Sequence, residues 1–236
     1  MTKSKKNLLN ESARKLIAFN TPRSLIAEQY RTLRTNINFS SIDHDLRSIV
    51  VTSAVPAEGK STTAANLAIV YAQGGKSVLL IDGDMRRPTM HQTFKVRNGL
   101  GLSSVLASET AFENAVRTTP VKGLDLLTCG PIPPNPVELF SSKAMDKLIN
   151  QLKGLYDLVI FDSPPILSVA DSQILINKCE SVILVLKSGI TEKYEAKKAR
   201  EVIKMSNSKL LGVVLNNYKI PKKSMYKNYV ELDNSK

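Results

Sequence analysis

The sequence has few of the residues from which metal centres and disulfide frameworks are built. Its 236 residues include two cysteines, Cys129 and Cys179, and two histidines, His44 and His91. One pair of cysteines without metal-ligand spacing is typical of reduced thiols in a reducing compartment. Two histidines are too few to form a His-based metal site, so that class of centre is excluded.

Long apolar segments are also missing. The longest apolar runs, such as Val182–Leu186, hold about half a dozen residues, whereas a helix that spans a bilayer needs about 20. The basic N-terminus lacks the apolar core of a secretory signal. We therefore expect a cytoplasmic protein without a membrane span of its own.

The charge is basic and unevenly distributed. The net charge is +12, from 33 basic and 21 acidic residues. Residues 1–23 contribute +5 (six Lys/Arg, one Glu), and residues 219–236 contribute +3 (five Lys, two acidic residues). A basic end can bind anionic lipid, nucleic acid or an acidic partner, or it can simply be solvated. The charge alone leaves these interpretations open.

Short apolar runs alternate with amphipathic segments along the chain. The runs are continuous, which is typical of strands buried on both faces of a sheet. The predicted strands are Ile49–Thr52, Val78–Asp82, Leu124–Thr128, Leu158–Asp162, Val182–Leu186 and Leu211–Leu215. The predicted helices are Pro22–Asn38 (with Thr21 as N-cap), Thr62–Gln73, Ser142–Lys153, Asp171–Asn177 and Glu192–Met205. This alternation predicts an α/β fold with a doubly wound, mostly parallel sheet flanked by helices.

Two segments fall outside this alternation. Gly130–Pro136 contains four prolines in seven residues and is predicted to be an extended, stiff loop. Residues 219–236 have no apolar periodicity and are predicted to be a flexible tail. We therefore divide the chain into a basic N-terminal segment (1–20), one domain (21–218) and a tail (219–236).

Residues 49–62 combine a predicted strand, a loop that ends in Gly59, Lys60 and Ser61, and the start of a helix. In this Walker A context, backbone N–H groups bind phosphate, the lysine reaches the β/γ-phosphates, and the serine hydroxyl ligates Mg²⁺. Ala54 stands at the first glycine position of the motif, and Pro56 lacks an N–H. The alternative is a glycine-containing turn with a surface lysine.

Three carboxylates follow buried strands in the prediction: Asp82, Asp84 and Asp162. The carboxyl ends of parallel strands line the ligand crevice of an open sheet, so we expect these acids to gather beside Ser61. Three such acids repel one another unless a cation sits among them, and Mg²⁺ would supply that charge. The alternative for each acid alone is the N-cap of a helix.

Several segments together resemble the bacterial protein-tyrosine kinases that regulate capsule and exopolysaccharide synthesis. Residues 54–62, 79–88 and 159–165 resemble their Walker A, A′ and B motifs, and residues 130–139 resemble a loop typical of the family. Glu28, Arg31 and Arg34 resemble its oligomerisation motif, and a tyrosine-bearing tail follows the last predicted strand. The resemblance covers about residues 20–230 and implies a P-loop NTPase-type fold that uses ATP and Mg²⁺.

The motifs and the resemblance together assign a role to each candidate site residue. The predicted nucleotide-binding residues are Pro56, Ala57, Glu58, Gly59, Lys60, Ser61, Thr62 and Asn216, the last at the adenine edge. The predicted metal ligands are Ser61, Asp84 and Asp162. The predicted catalytic residues are Lys60, Asp84, Asp162 and Asp82, the last as acceptor of the tyrosine proton. Tyr226 and Tyr229 are the predicted sites of autophosphorylation in trans.

Some assignments concern partners. The resemblance implies self-association into a ring through Glu28, Arg31 and Arg34, although these residues also have the spacing of ordinary intrahelical pairs. It implies a transmembrane activator of the polysaccharide co-polymerase type that recruits the chain to the inner face of the membrane, protein-tyrosine substrates, and a cognate phosphatase. Arg86 and Arg87 could bind phosphate or a partner, or form a solvated turn. No specific nucleic acid is expected.

Two other functions compete with a kinase. Partition and cell-division-site ATPases share the P-loop and change oligomeric state on membrane or DNA, but they carry an extra lysine where this chain has Val55. A binding module with a degenerate nucleotide site is disfavoured by the intact Lys60, Ser61 and acids. One departure from the kinase pattern is Ala57, where the family usually has glycine.

Overall fold

The computed structural model describes residues 16–40 and 45–219, which form helices on both sides of one sheet. The first elements are α1 (Ile17–Asn20), α2 (Leu25–Ser40), β1 (Ser48–Ser53), α3 (Lys60–Gln73) and β2 (Val78–Asp82). The next are α4 (Met90–Phe94), α5 (Leu102–Leu106), α6 (Phe112–Ala115), β3 (Arg117–Thr118) and β4 (Leu124–Leu127). The last are α7 (Pro136–Ser141), α8 (Lys143–Leu155), β5 (Leu158–Asp162), α9 (Ala170–Lys178), β6 (Ser181–Lys187), α10 (Lys193–Lys204) and β7 (Lys209–Asn216).

The sheet has seven strands in the order β3-β4-β2-β5-β1-β6-β7. Every neighbouring pair is parallel except β3 and β4, which pair antiparallel. The predicted α/β fold with a mostly parallel sheet is confirmed. Because β1, β2 and β5 are adjacent and parallel, the segments that follow them meet at one edge, and Asp82 lies beside Asp162 in register.

Two apolar layers hold the sheet, one on each face. Ile49 and Val51 of β1 pack in the layer that contains α3, whereas Val50 packs in the opposite layer with residues of α8 and α9. Every residue of β1, β2 and β5 is buried. The continuous apolar runs of the sequence therefore arise because both faces of these central strands are covered.

The last strand departs from that expectation. The prediction that Leu211–Leu215 is buried on both faces is wrong, because Val213 is 53% exposed and Leu215 is 51% exposed. β7 lies at the edge of the sheet and pairs with β6 alone, and the helical layers do not cover it fully.

The start of α2 also differs from the prediction. Thr21 is not the N-cap, because it closes α1 by donating its backbone N–H to the carbonyl of Ile17. α2 begins at Leu25, and the Ser24 hydroxyl accepts the N–H of Ala27 at 3.2 Å, which is the capping contact.

Three smaller differences concern short elements. The two-residue strand β3 and the short helices α4 to α7 were not predicted, because segments of two to six residues carry little periodicity. The proline-rich loop ends at Asn135, and Pro136 begins α7, where a missing N–H costs nothing.

The proposed domain limits stay a prediction. Residues 17–20, which the sequence places in the N-terminal segment, form α1, and the N–H of Ala18 donates to the Asn66 side chain of α3 at 2.9 Å. Both cysteines are free and buried. Within 16–40 and 45–219, no helix combines the length and hydropathy that crossing a bilayer requires.

Phe140 offers a test of the packing between α7 and the sheet, because its ring is fully buried. Phe140→Ala should lower the free energy of unfolding by about 3–5 kcal/mol, since it leaves a cavity in the apolar layer. Phe39→Ala is the matched control, because Phe39 is 68% exposed, and it should change stability by less than about 0.5 kcal/mol. Urea unfolding of both variants gives the comparison, and equal effects would contradict the described packing.

Candidate active site

The loop between β1 and α3 ends at a glycine that no other residue can replace without strain. Gly59 lies in the left-handed region with φ +94°, and it directly precedes α3. A Cβ atom at this position would stand 2.0 Å from Nδ2 of Asn216, at the end of β7. The Asn216 amide donates to the carbonyl of Glu58 at 2.8 Å, so the last strand holds the loop in place.

The Glu58 side chain braces the same loop from inside. It is 1% exposed, and its Oε2 accepts the N–H of Val55 at 2.9 Å. The Thr191 hydroxyl donates to the other carboxylate oxygen, and it also accepts the N–H of Lys187 at 2.8 Å. The loop is thereby tied to the turn that follows β6.

Ala57, which stands where the family usually has glycine, adopts a backbone conformation that suits glycine. It is exposed and has φ +66°, a left-handed conformation that glycine adopts freely and that costs another L-residue about 1–2 kcal/mol. The loop therefore holds Ala57, at an energetic cost, in a conformation that glycine adopts freely.

Lys60 is the centre of the charged cluster. Its Nζ lies 2.9 Å from Oδ2 of Asp84, 3.3 Å from Oδ1 of Asp162 and 3.2 Å from the hydroxyl of Ser61. Asp162 is fully buried, and Lys60 is 9% exposed. Because α3 begins at Lys60, the N–H groups of its first turn are the donors that a helix start offers to an anion.

The charges of this cluster shift one another's protonation. Burial alone lowers the pKa of Lys60, but the carboxylates of Asp162 and Asp84 outweigh it and raise that pKa above its ordinary value. Burial raises the pKa of Asp162, and the ammonium of Lys60 partly offsets that rise. A single lysine therefore stabilises the ionised form of the acids only in part.

Asp82 lies deeper and accepts backbone hydrogen bonds. Its Oδ2 accepts the N–H groups of Thr89 and Met90 at 2.9 and 2.8 Å, and its Oδ1 accepts the N–H of Asp84 at 3.3 Å. Burial, followed by the charge of Asp162, raises the pKa of Asp82 to about 7. Asp82 thus binds the N–H groups at the start of α4 without being its N-cap, which is Thr89, and its role as proton acceptor stays a prediction.

One buried oxygen bears on the predicted metal. Oδ2 of Asp162 forms no hydrogen bond with the described residues, although the Ser61 hydroxyl approaches the same carboxylate and lowers its pKa. No three His, Cys, Asp or Glu side chains within 16–40 and 45–219 form a metal centre by themselves. The unpartnered oxygen fits Mg²⁺, which binds through one or two carboxylates and completes its shell with phosphates and water.

Arg86 has a partner that the sequence did not reveal. Its guanidinium binds the fully buried carboxylate of Asp171 through two hydrogen bonds of 2.8 and 3.1 Å. The backbone N–H of Arg87 donates to Asp84 at 3.0 Å. Arg86 therefore joins the segment after β2 to the start of α9 while its side chain stays 47% exposed, and phosphate or partner binding by Arg86 and Arg87 stays a prediction.

The three residues of the predicted oligomerisation motif have partners within the chain. Glu28 pairs with Arg31 at 2.6 Å, and Arg31 also donates to the carbonyl of Pro22 at 2.5 Å. Arg34 donates to the carbonyl of Val70 at 2.5 Å, near the C-terminal end of α3. Their role in a ring stays a prediction, and Tyr226 and Tyr229 lie outside the described residues.

The parallel sheet, the phosphate loop after β1, and the acids after β2 and β5 define a P-loop nucleotide-binding protein. Residues 46–210 match the family described as "AAA domain". The chain is 53% identical to tyrosine-protein kinase YwqD of Bacillus subtilis (strain 168), over 98% of this chain and 97% of that protein. It is similar to the crystal structure of the chimerical protein CapA2B2, with a TM-score of 0.85 and 44% identity over 89% of this chain and 91% of that one. The chain belongs to the bacterial tyrosine-protein kinases and is itself a protein-tyrosine kinase.

The competing class shares the fold at lower similarity. The septum site-determining protein MinD of Pyrococcus horikoshii OT3, complexed with Mg-ADP, is 26% identical, with a TM-score of 0.65 over 79% of this chain and 76% of that one. The prediction of a kinase rather than a cell-division-site ATPase is confirmed.

Gly59→Ala should weaken nucleotide binding at least tenfold, because the added methyl meets Asn216 and the backbone loses a conformation suited to glycine. Gly75→Ala is a matched control, since Gly75 has φ +92° and no atom within 4 Å of the added Cβ. It should cost about 1–2 kcal/mol of stability and leave nucleotide affinity unchanged. Titration with a fluorescent ATP analogue measures both, and similar affinities for the two variants would refute the proposed loop function.

Proposed function

We propose that this kinase transfers the γ-phosphoryl group of ATP to Tyr226 and Tyr229 of a second copy, and so regulates the synthesis and export of capsular or extracellular polysaccharide. The observation that carries the proposal is Lys60, held between Asp84 and Asp162 at the mouth of a phosphate loop. Family membership supports the tyrosine acceptor, and the similar kinases CapB, CpsD and EpsB support the polysaccharide pathway.

The transfer exchanges one phosphorus–oxygen bond for another. The tyrosine oxygen bonds to the γ-phosphorus, the bond from that phosphorus to the β,γ-bridging oxygen breaks, and ADP leaves. The phenol proton passes to a carboxylate, for which Asp82 is the proposed acceptor. Positioning and charge neutralisation account for most of the catalysis in such reactions.

Lys60 and the first turn of α3 would bind and orient the phosphates. The ammonium of Lys60 reaches the β/γ-phosphates from its place beside Asp84, and the backbone of residues 56–62 supplies N–H donors, except at Pro56. When bound by Ser61, Asp84 and Asp162, Mg²⁺ supplies further positive charge for the phosphates. Asn216, which holds the loop at Glu58, is proposed to contact the adenine edge.

The partners follow from the family rather than from the site. We propose that a transmembrane activator of the polysaccharide co-polymerase type recruits the chain to the inner face of the membrane. A cognate phosphatase would remove the phosphate from the tail tyrosines. Further protein-tyrosine substrates would use the same site.

Lys60→Met tests the reaction directly. With labelled ATP and Mg²⁺, it should lower phosphotyrosine formation by at least about 100-fold, since one charge that stabilises the transition state is lost. Lys198→Met is the control, because Lys198 is exposed on α10, and it should retain wild-type activity. Mass spectrometry of the wild-type protein should place phosphate on Tyr226 or Tyr229, and phosphate absent from both would disprove the proposed acceptors.

The ring can be tested separately from stability. Glu28→Ala/Arg31→Ala removes an exposed pair and should lower the mass measured by light scattering while changing stability by less than about 0.5 kcal/mol. Arg34→Ala should instead lower stability by about 1 kcal/mol, because Val70 loses its guanidinium partner at the end of α3. A double variant with the wild-type mass would count against assembly through this motif.

A further inference from the structure

A groove lies beside the site, between the end of α5 and the proline-rich loop that precedes α7. Its volume is about 220 Å³. We call it the proline groove, and the residues that matter to the argument are Ser103, Glu109, Pro131, Pro133, Pro134 and Glu138.

The loop of the proline groove leaves the sheet beside the catalytic acids. It continues from β4, whose last residue Leu127 pairs in register with Ile81 of β2, so the start of the loop lies next to Asp82. The charges of Asp82 and Asp84 accordingly add to the effect of burial in raising the pKa of Cys129. Ser103 of α5 connects the two walls of the groove, which are α5 and the proline-rich loop. Its N–H donates to the carbonyl of Cys129 at 2.8 Å, and its hydroxyl donates to the carbonyl of Pro131 at 2.7 Å. A chain bound in this groove therefore lies at the same edge of the sheet as the phosphoryl-transfer site.

The groove is held in shape before anything binds. The Asn98 side chain donates to the carbonyl of Gly130 and accepts its N–H, both at 2.9 Å. The prolines restrict the backbone of the loop further. A preformed groove of this kind binds an extended peptide with little ordering cost on its own side.

The charge of the groove is opposite to that of the tail. Its lining residues include Glu109 and Glu138, both exposed, and no lysine or arginine. Residues 219–236 carry five lysines and two acidic residues, and Lys222, Lys223 and Lys227 lie within four positions of Tyr226. Electrostatic complementarity of this kind favours encounter and correct register more than tight binding.

The distance across the sheet favours a tail from another molecule. β7 lies five strand spacings from β4, which is about 24 Å at about 4.8 Å per spacing. Tyr226 follows Lys219 by seven residues, which span at most about 23–25 Å when fully extended. Tyr226 of the same domain would therefore have to follow a nearly straight line across the phosphate loop, whereas Tyr226 of a second copy has no such restriction.

We propose that the proline groove is the docking surface for the lysine-rich tail of a second copy, with Glu109 and Glu138 binding the lysines around Tyr226. The proposal rests on the proposed function, because it takes the tail as substrate. It adds the surface that selects this substrate.

The test uses the full chain with Tyr226→Phe and Tyr229→Phe, so that its own tail cannot accept phosphate at these positions. A synthetic peptide of residues 219–236 is the substrate. Adding Glu109→Lys and Glu138→Lys should raise the KM for the peptide about tenfold while the KM for ATP and the kcat stay unchanged. Glu201→Lys is the control, because Glu201 is exposed on α10, and it should leave the peptide KM as it is.

A charge exchange makes the test specific. A peptide with Lys222→Glu, Lys223→Glu and Lys227→Glu should be a poor substrate for the chain with native glutamates and a better one for the Glu109→Lys, Glu138→Lys chain. An unchanged peptide KM in the lysine variant, or no recovery with the exchanged peptide, overturns the docking surface while leaving the kinase activity in place. If the chain with native glutamates does not phosphorylate the native peptide at all, the proposed function fails as well.

Discussion

The imbalance between one buried lysine and three buried carboxylates is the constraint on which the site depends. Lys60 contacts Asp84 and Asp162, while Asp82 lies next to Asp162 across two paired strands. Burial raises the pKa values of Asp82 and Asp162, the charge of a neighbouring acid adds to each rise, and one ammonium offsets them only in part. The parallel sheet creates this imbalance, because it brings the ends of β2 and β5 to the same edge as the loop after β1. A divalent cation at this edge would relieve the excess of negative charge, so the fold itself favours the metal that the reaction needs.

The loop keeps its strained shape because distant elements hold it. Ala57 has a positive φ, and a residue other than glycine keeps such a conformation only where its surroundings fix it. Asn216 at the end of β7 and Thr191 after β6 supply that restraint through Glu58. The phosphate loop therefore depends on the far side of the sheet, and a change at the edge strand acts on the site without touching the phosphates.

The sequence predicts the central part of this structure well because its signals are local. Val78–Asp82 and Leu158–Asp162 are predicted with the observed limits, since continuous apolar runs report burial on both faces. The bond between Arg86 and Asp171 joins residues 85 positions apart, and that between Asn216 and Glu58 joins residues 158 apart, so neither leaves a local pattern. The exposure of β7 depends on which strand lies at the edge, which no run of apolar residues reveals. Ser24 replaces Thr21 as N-cap because two hydroxyl residues three positions apart compete for this role, and the turn after α1 decides between them.

In the proposed reaction, phosphorylation also changes the net charge of the tail. Each phosphate on a tyrosine adds about −1.5 to −2 charges at neutral pH. Residues 219–236 carry +3, so two phosphates bring the tail to about zero or slightly negative. A tail that docks as proposed would with that charge no longer be attracted to Glu109 and Glu138, and the acids beside Lys60 would repel it once ADP has left. Release of the product would then follow from the same charge complementarity that brings the substrate in.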